Sequence, residues 1–275
     1  MAKSKRNPYG DKFAEILTRI RERHPLIHHM TNFVVMNDTA NATLALGALP
    51  VMAHAKEEVA EMVGAAGALV LNPGTLTPEW VEAMLIAGKR ANELNVPVIY
   101  DPVGVGATKL RNETGQRFLD LLKLAAIRGN SGEVGALAGA GGLVKGVESV
   151  EGVKDPVKVA KELAAKYNTV VAITGKRDII SDGRRVMGVD NGHLMLKTIT
   201  GTGCMSTTAV AVFCAVEPDY LLATTAALAC YGLAAERAAR RAKAPGSFRS
   251  ALLDALYQLT PAQVRLGTKV VELAE

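Results

Sequence analysis

Two patterns recur along this chain and limit what it can fold into. Continuous apolar runs, Ala68-Leu69-Val70-Leu71, Val96-Pro97-Val98-Ile99-Tyr100 and Thr169-Val170-Val171-Ala172-Ile173, alternate with helical segments such as Thr77 to Leu94 and Pro156 to Tyr167. An apolar run without polar alternation suits a strand covered on both faces, and the intervening helices supply the cover. The pattern therefore predicts βαβ units around a mainly parallel central sheet flanked by helices on both faces. Hydrophobic residues make up 49% and aromatics only 4%, so the core has to be assembled from Ala, Val, Leu and Ile, as helices packed on such a sheet allow. The 275 residues are read as one α/β domain, long enough to bury a substantial core.

Each run ends in small or polar residues: Asn72-Pro73-Gly74-Thr75, Asp101-Pro102-Val103-Gly104 and Thr174-Gly175. Ligands bind beyond the carboxyl ends of parallel strands, so the polar chemistry is expected along one sheet edge. From Ile179 to Leu196 short runs surround Asp182-Gly183 and Asn191-Gly192, both hairpin-turn dipeptides, which predicts a short antiparallel meander. Beyond it, Gly203 to Gln258 reads as nearly all helix, with Gly246 marking a loop between two helices.

Charge and cysteine content narrow the function classes. Lys and Arg total 32 against 27 Asp and Glu, and the excess of +5 is dispersed, with modest clusters at Lys3-Ser4-Lys5-Arg6 and Arg237 to Lys243. Neither cluster is interleaved with aromatics, so no nucleic-acid partner is expected; the excess favours anionic small ligands such as nucleotides. Cys204, Cys214 and Cys230 show no short metal-type pairing, and Met1 to Tyr9 is polar. Together they predict a reducing, cytoplasmic setting and no signal peptide. No membrane partner is expected either: the most apolar stretch, Met205 to Val216, contains Ser206, Thr207 and Thr208 and falls short of the about 20 residues a bilayer requires. It reads as a buried helix. His24, His28, His29, His54 and His193 show no ligand spacing with the cysteines that would suggest structural zinc.

Several constellations can carry chemistry. Gly201-Thr202-Gly203-Cys204 puts two glycines between a strand and a long helix, so backbone N–H groups and the positive helix end can face a phosphate; plain helix-start geometry is the other reading. No Lys-Ser or Lys-Thr follows, so this is not a P-loop. A nicotinamide-dependent oxidoreductase would need a glycine fingerprint after the first strand and an acidic residue about 20 positions later, and neither is found. Cys204 falls in the first helical turn, where the dipole can lower a thiol's pKa and make it a base, or it is a small buried hydrophobe. Asn130 and Glu133 can hold hydrated Mg²⁺ beside phosphates, or cap a helix. Arg128 is a phosphate clamp or a surface charge, and Asp101 a ligand-edge carboxylate or a turn cap.

Taken in order, these motifs identify a resemblance. Thr31-Asn32, Leu44-Ala45-Leu46-Gly47-Ala48 with Pro50-Val51-Met52, and Asn72 with Gly74-Thr75-Leu76 come first. Asp101-Pro102-Val103-Gly104, Ile127-Arg128-Gly129-Asn130 with Glu133, Ile173-Thr174-Gly175, Thr200-Gly201 with Gly203-Cys204, and Pro245-Gly246-Ser247-Phe248 follow. Over nearly its whole length the chain resembles the hydroxyethylthiazole kinases of the ribokinase-like superfamily. The resemblance implies transfer of the ATP γ-phosphate, with Mg²⁺, to the alcohol of 4-methyl-5-(2-hydroxyethyl)thiazole, feeding thiamine diphosphate synthesis. It implies thiazole contacts from Met52 and Gly201, with Asn32 on the same side, and ATP contacts from Arg128 and Thr174. Asp101 and Glu133 would order Mg²⁺ and its waters, and the amides of Gly201, Thr202, Gly203 and Cys204 would stabilise the transferred group. Cys204 stands where most ribokinase-like kinases carry Asp, and would orient and help deprotonate the alcohol. The resemblance further implies a homotrimer with sites shared between subunits. The chain departs from the family pattern at Thr202, where Ala is frequent, and at Pro73, where an aliphatic residue is frequent. The rival readings are a kinase of another small alcohol on the same fold and a non-catalytic nucleotide- or thiazole-binding protein.

Overall fold

The computed structural model describes residues 8–139, 143–145, 148–151 and 153–273. The basic cluster Lys3 to Arg6 lies outside the described residues. In chain order the elements are α1 (Gly10–Arg23), β1 (Leu26–Met30), α2 (Met36–Leu46), β2 (Leu49–Val51), α3 (Val59–Gly64), β3 (Ala68–Leu71), α4 (Pro78–Glu93), β4 (Val98–Tyr100), α5 (Lys109–Leu121), β5 (Ala126–Asn130) and α6 (Ser131–Leu137). They continue with β6 (Leu143–Lys145), β7 (Glu148–Glu151), α7 (Pro156–Tyr167), β8 (Val170–Thr174), β9 (Asp178–Ser181), β10 (Val186–Val189), a 3-10 helix (Leu194–Thr198), α8 (Thr202–Cys214), α9 (Tyr220–Arg241), α10 (Pro245–Tyr257), α11 (Pro261–Gly267) and β11 (Val270–Glu272).

A nine-stranded sheet runs in the order β11-β10-β9-β8-β5-β4-β3-β1-β2. From β8 to β2 every neighbouring pair is parallel. The expected alternation of strand faces is visible within single runs. Ala68 and Val70 join the core cluster built with α1, α2, α8, α9, α10 and α11, whereas Leu69 and Leu71 join the opposite cluster built with α3 to α7. Both faces are covered, which is why these strands carry no polar alternation. Helix starts follow local chemistry: Thr77 accepts from the Trp80 amide and Asp155 from the Lys158 amide, each with proline next in the chain.

The antiparallel segment is present, with β9 pairing antiparallel to β8 and to β10 around Asp182-Gly183. The second expected turn is different. After Asn191-Gly192 the chain enters the 3-10 helix, and the strand that pairs with β10 on the side away from β9 is the distant β11. The cause is the Asn191 side chain, which is buried and committed elsewhere: Oδ1 accepts from the Lys269 amide at 2.6 Å, and Nδ2 donates to Gly267 O and Glu236 Oε1. Gly246 also departs from expectation. It lies in the first turn of α10, behind Pro245 at the first helical position, and the break between α9 and α10 falls at 242–244. The Met205 to Val216 stretch is the expected buried helix, since Met205 to Cys214 are all buried; a helix covered all round needs no polar face.

Candidate active site

Leu71 and Tyr100 pair in the parallel register of β3 and β4, so the residues that follow, Asn72 and Asp101, leave the sheet side by side. The Asn72 amide nitrogen Nδ2 donates to Asp101 Oδ2 at 2.9 Å and toward Cys204 Sγ at 3.2 Å. Its Oδ1 accepts from Asn32 Nδ2 at 2.9 Å and from the Gly74 amide at 3.2 Å. Asn32 Nδ2 is also 3.8 Å from Cys204 Sγ. One turn along α8, Thr207 donates its hydroxyl to Asp101 Oδ2 at 2.9 Å. Asn32, Asn72, Asp101 and Thr207 are all buried. The ends of β1, β3 and β4 and the start of α8 thus converge on one sulfur. The turn-cap reading of Asp101 fails, because its carboxylate serves these side chains.

Of this cluster, sequence reasoning singled out Asn32, Asp101 and Cys204 as site residues but not Asn72 or Thr207. The signal for Asn72 was its position: it follows β3 and precedes Pro73 as Asp101 follows β4 and precedes Pro102. Thr207 lies three residues after Cys204, on the same helical face.

At the start of α8, Gly201 is the N-cap with φ 85°, a left-handed conformation that glycine adopts at little cost. A Cβ there would lie 2.9 Å from Val35 Cγ1. No side chain caps the helix, so the positive end of α8 is open toward the sheet edge. The Thr202 hydroxyl is spent on the fold, donating to Leu196 O at 2.6 Å and Ile199 O at 3.2 Å. Only its backbone amide remains for a ligand.

Arg128 and Thr174, on neighbouring β5 and β8, are brought together, with Arg128 Nη2 donating to Thr174 Oγ1 at 2.8 Å. A Cβ on Gly203 would stand 2.9 Å from Arg128 Nη1, so the glycine lets the guanidinium lie against the start of α8. Arg128 is half-buried, which removes the surface-charge reading. A guanidinium beside an uncapped helix end is a strong anion locus.

Glu133 forms the capping box in full. Asn130 Oδ1 accepts from the Gly132 and Glu133 amides, and Glu133 Oε2 accepts from the Asn130 amide. Glu133 Oε1 accepts from the Gly104 amide at 3.0 Å, tying α6 to the loop after Asp101. Burial, then the Asp101 charge, push Glu133 up to about 7. Burial also raises Asp101, opposed by the Arg128 charge and by hydrogen bonds from Thr207, Cys204 and Asn72. Two buried carboxylates whose proton affinities are both raised, Glu133 in part by the Asp101 charge, form a locus that a divalent cation would relieve. Among the described residues no group of three or more His, Cys, Asp or Glu could cage a metal. This donor set suits Mg²⁺, which keeps its waters and takes one or two carboxylates.

The expected activation of Cys204 is overturned. Burial and the neighbouring Asp101 charge push its thiol up to about 12, so at neutral pH it is an S–H group despite its place at the helix start. The dipole cannot offset a partly desolvated sulfur facing a carboxylate.

Met52 lies just beyond β2, half-buried at the same carboxyl edge but next to the outermost strand of the sheet. It is outside the hydrogen-bonded cluster. Directly after Asn32, Phe33 and Val34 are 65% and 61% exposed, and Phe33 packs on Trp80 with ring centroids 4.5 Å apart. An exposed apolar strip therefore flanks Asn32.

The chain is similar to known proteins in sequence and in fold. A sequence model of the hydroxyethylthiazole kinase family matches residues 17–262. A hydroxyethylthiazole kinase from Chloroflexus aggregans is 62% identical over 266 residues, covering 97% of this chain and 96% of that protein. The solved structure of a hydroxyethylthiazole kinase protein from Pyrococcus horikoshii superposes with a TM-score of 0.89 at 46% identity, covering 96% of this chain and 99% of the other. A ribokinase-like superfamily protein from Enterococcus faecalis superposes with a TM-score of 0.63 at 13% identity, covering 90% of this chain and 95% of the other, which shows the shared fold.

Proposed function

Because the chain belongs to the hydroxyethylthiazole kinase family, we propose that it transfers the γ-phosphoryl group of ATP to the hydroxyl of 4-methyl-5-(2-hydroxyethyl)thiazole, supplying thiazole phosphate for thiamine diphosphate synthesis. The observation that carries this reading is the meeting of the Asn72, Asp101 and Cys204 cluster with the uncapped start of α8 and Arg128. An acceptor alcohol and a phosphate chain need such adjoining loci.

In this reading Arg128 and Thr174 hold the phosphates of ATP, and the amides of Thr202, Gly203 and Cys204 face the transferred group together with the helix dipole. Gly201, Asn32 and Met52 line the thiazole side. The alcohol lies against Cys204, which as a neutral thiol orients it by hydrogen bonding. Phosphoryl transfer through a loose transition state asks little of a base, so a high thiol pKa is no obstacle. Asp101 and Glu133 would hold Mg²⁺ through its waters, and the ion when bound would neutralise phosphate charge.

The chain works as a single ribokinase-like unit in the cytoplasm, and among the described residues no helix is long and apolar enough to cross a membrane. The exposed strip of Phe33 and Val34 beside Asn32 supports a homotrimer in which a neighbouring subunit completes the thiazole side. Light scattering should give a trimer, and an active monomer would reject that assembly. The reaction is tested by ³¹P NMR of the protein with ATP, Mg²⁺ and the thiazole alcohol. A thiazole phosphomonoester formed together with ADP is expected. Faster turnover of a pyrimidine or sugar alcohol would assign a different acceptor.

A further inference from the structure

Arg111 lies in the first turn of α5, where the helix dipole disfavours a cation, and no carboxylate pairs with it among the described residues. Its guanidinium is half-buried and spends its donors on backbone carbonyls. Nη1 donates to Val103 O at 2.8 Å and Pro73 O at 3.2 Å, and Nη2 donates to Gly74 O at 2.7 Å. Pro73 and Gly74 directly follow Asn72, and Val103 is two residues after Asp101. One planar fork therefore spans the two loops that present the amide and the carboxylate of the candidate site.

Gly104 makes room for this arrangement. Its φ is +72°, and a Cβ there would stand 3.1 Å from Arg111 Cδ and 3.2 Å from Nε and Nη1. The same glycine donates its amide to Glu133 Oε1 at 3.0 Å. The fork thus reaches Asn72 through one loop, and Asp101 and Glu133 through the other.

We propose that Arg111 is a positioning residue that locks the Asn72 loop to the Asp101 loop, and so holds the Asn72 amide between Asp101 and Cys204. It touches no reacting atom; its effect reaches the chemistry through Asn72. The guanidinium is suited to this because its donors are fixed in one plane, whereas a lysine ammonium is a point charge on a flexible stem. The kinetic consequence rests on the phosphotransferase reading above, but the structural consequence does not.

The test compares wild type with Arg111→Gln and Arg111→Lys in two readouts. The first is alkylation of Cys204 by iodoacetamide, followed by mass spectrometry, with buried Cys214 and Cys230 as internal references. The second is kcat and KM for both substrates. Release of the Asn72 loop should speed alkylation of Cys204 by about tenfold while the reference cysteines stay unreactive. It should also lower kcat by about 100-fold, the scale of an ångström-sized misplacement, with KM for ATP changed by less than about twofold. Arg111→Lys should resemble Arg111→Gln in both readouts. Should Arg111→Gln fail to fold, Arg111→Lys carries the same test alone. Wild-type alkylation and kcat in these variants would overturn the proposal. Full recovery by Arg111→Lys would overturn the fork in favour of charge alone, and equal reactivity of all three cysteines would reassign Arg111 to general stability. A wild-type protein without kinase activity would reject the phosphotransfer reading while the alkylation result still decides the lock.

Discussion

Asn72 places its single amide nitrogen 2.9 Å from Asp101 Oδ2 and 3.2 Å from Cys204 Sγ, while its oxygen takes a hydrogen bond from Asn32. Both ends of a buried amide are therefore consumed in joining three candidate site residues. Asn72→Ala should leave Asp101 and Asn32 each short of a partner. The expected loss is about 1–3 kcal/mol of stability, measured by urea unfolding, and about 100-fold in kcat. Asn72→Asp should be worse than Asn72→Ala in kcat, because it sets a second carboxylate against Asp101.

Much of this arrangement was legible in the sequence. The apolar runs and the polar residues that end them located the strands, their covered faces and the ligand edge, since burial on both faces and chain reversal each leave a compositional mark. Asp101 and Cys204 could be singled out because a carboxylate before proline and a cysteine after a glycine turn are chemically conspicuous. Thr207 and Arg111 were not, because a hydroxyl and a helix arginine acquire meaning only through partners far away in the chain; Asn72 carries only the mark of its position after a strand and before proline. The raised Cys204 pKa is hidden from the sequence for the same reason. The helix start is local and readable, but the opposing carboxylate arrives from another strand. Asn191 looked like a turn because the tertiary contacts that occupy its side chain come from α9 and the residues before β11.

Gly203, having no side chain, lets the Arg128 guanidinium lie against the start of α8. Gly203→Ala should displace the guanidinium and raise KM for ATP by about tenfold, with a smaller change in KM for the thiazole alcohol. Initial-rate kinetics with each substrate varied in turn check this.

Arg249 Nε donates to Asp38 Oδ1 at 2.6 Å, linking α10 to the first turn of α2, and Asp38 Oδ2 would be 4.0 Å from a Cβ on Gly201. Arg249 is 48% exposed, so solvent screening limits the pair to about 0.5–1 kcal/mol. Arg249→Met should cost that much in urea unfolding, and an Asp38→Asn, Arg249→Met cycle should give a coupling of the same size.

His29 is fully buried, and its Nε2 bonds the hydroxyl of Thr43, which itself donates to Thr39 O. Thr43 therefore accepts from Nε2–H. Burial first, and the neighbouring His28 and His54 second, lower His29 from 6.5 to about 3. Between these values the unfolded chain binds the proton and the folded protein does not. The stability His29 contributes is therefore complete above pH 6.5 and is lost as pH falls toward 3. His29→Gln should remove this slope, up to about 1.4 kcal/mol per pH unit, so that its deficit relative to wild type narrows between pH 7 and pH 4 in urea unfolding.

Cys204 and the start of α8 meet where the proposed phosphoryl transfer to an alcohol would occur. A coupled ATP-consumption assay with and without the thiazole alcohol, in Mg²⁺ and again in EDTA, tests it most directly. ADP release that depends on both the alcohol and Mg²⁺ is expected. ADP release independent of the alcohol, or none under any of these conditions, would contradict it.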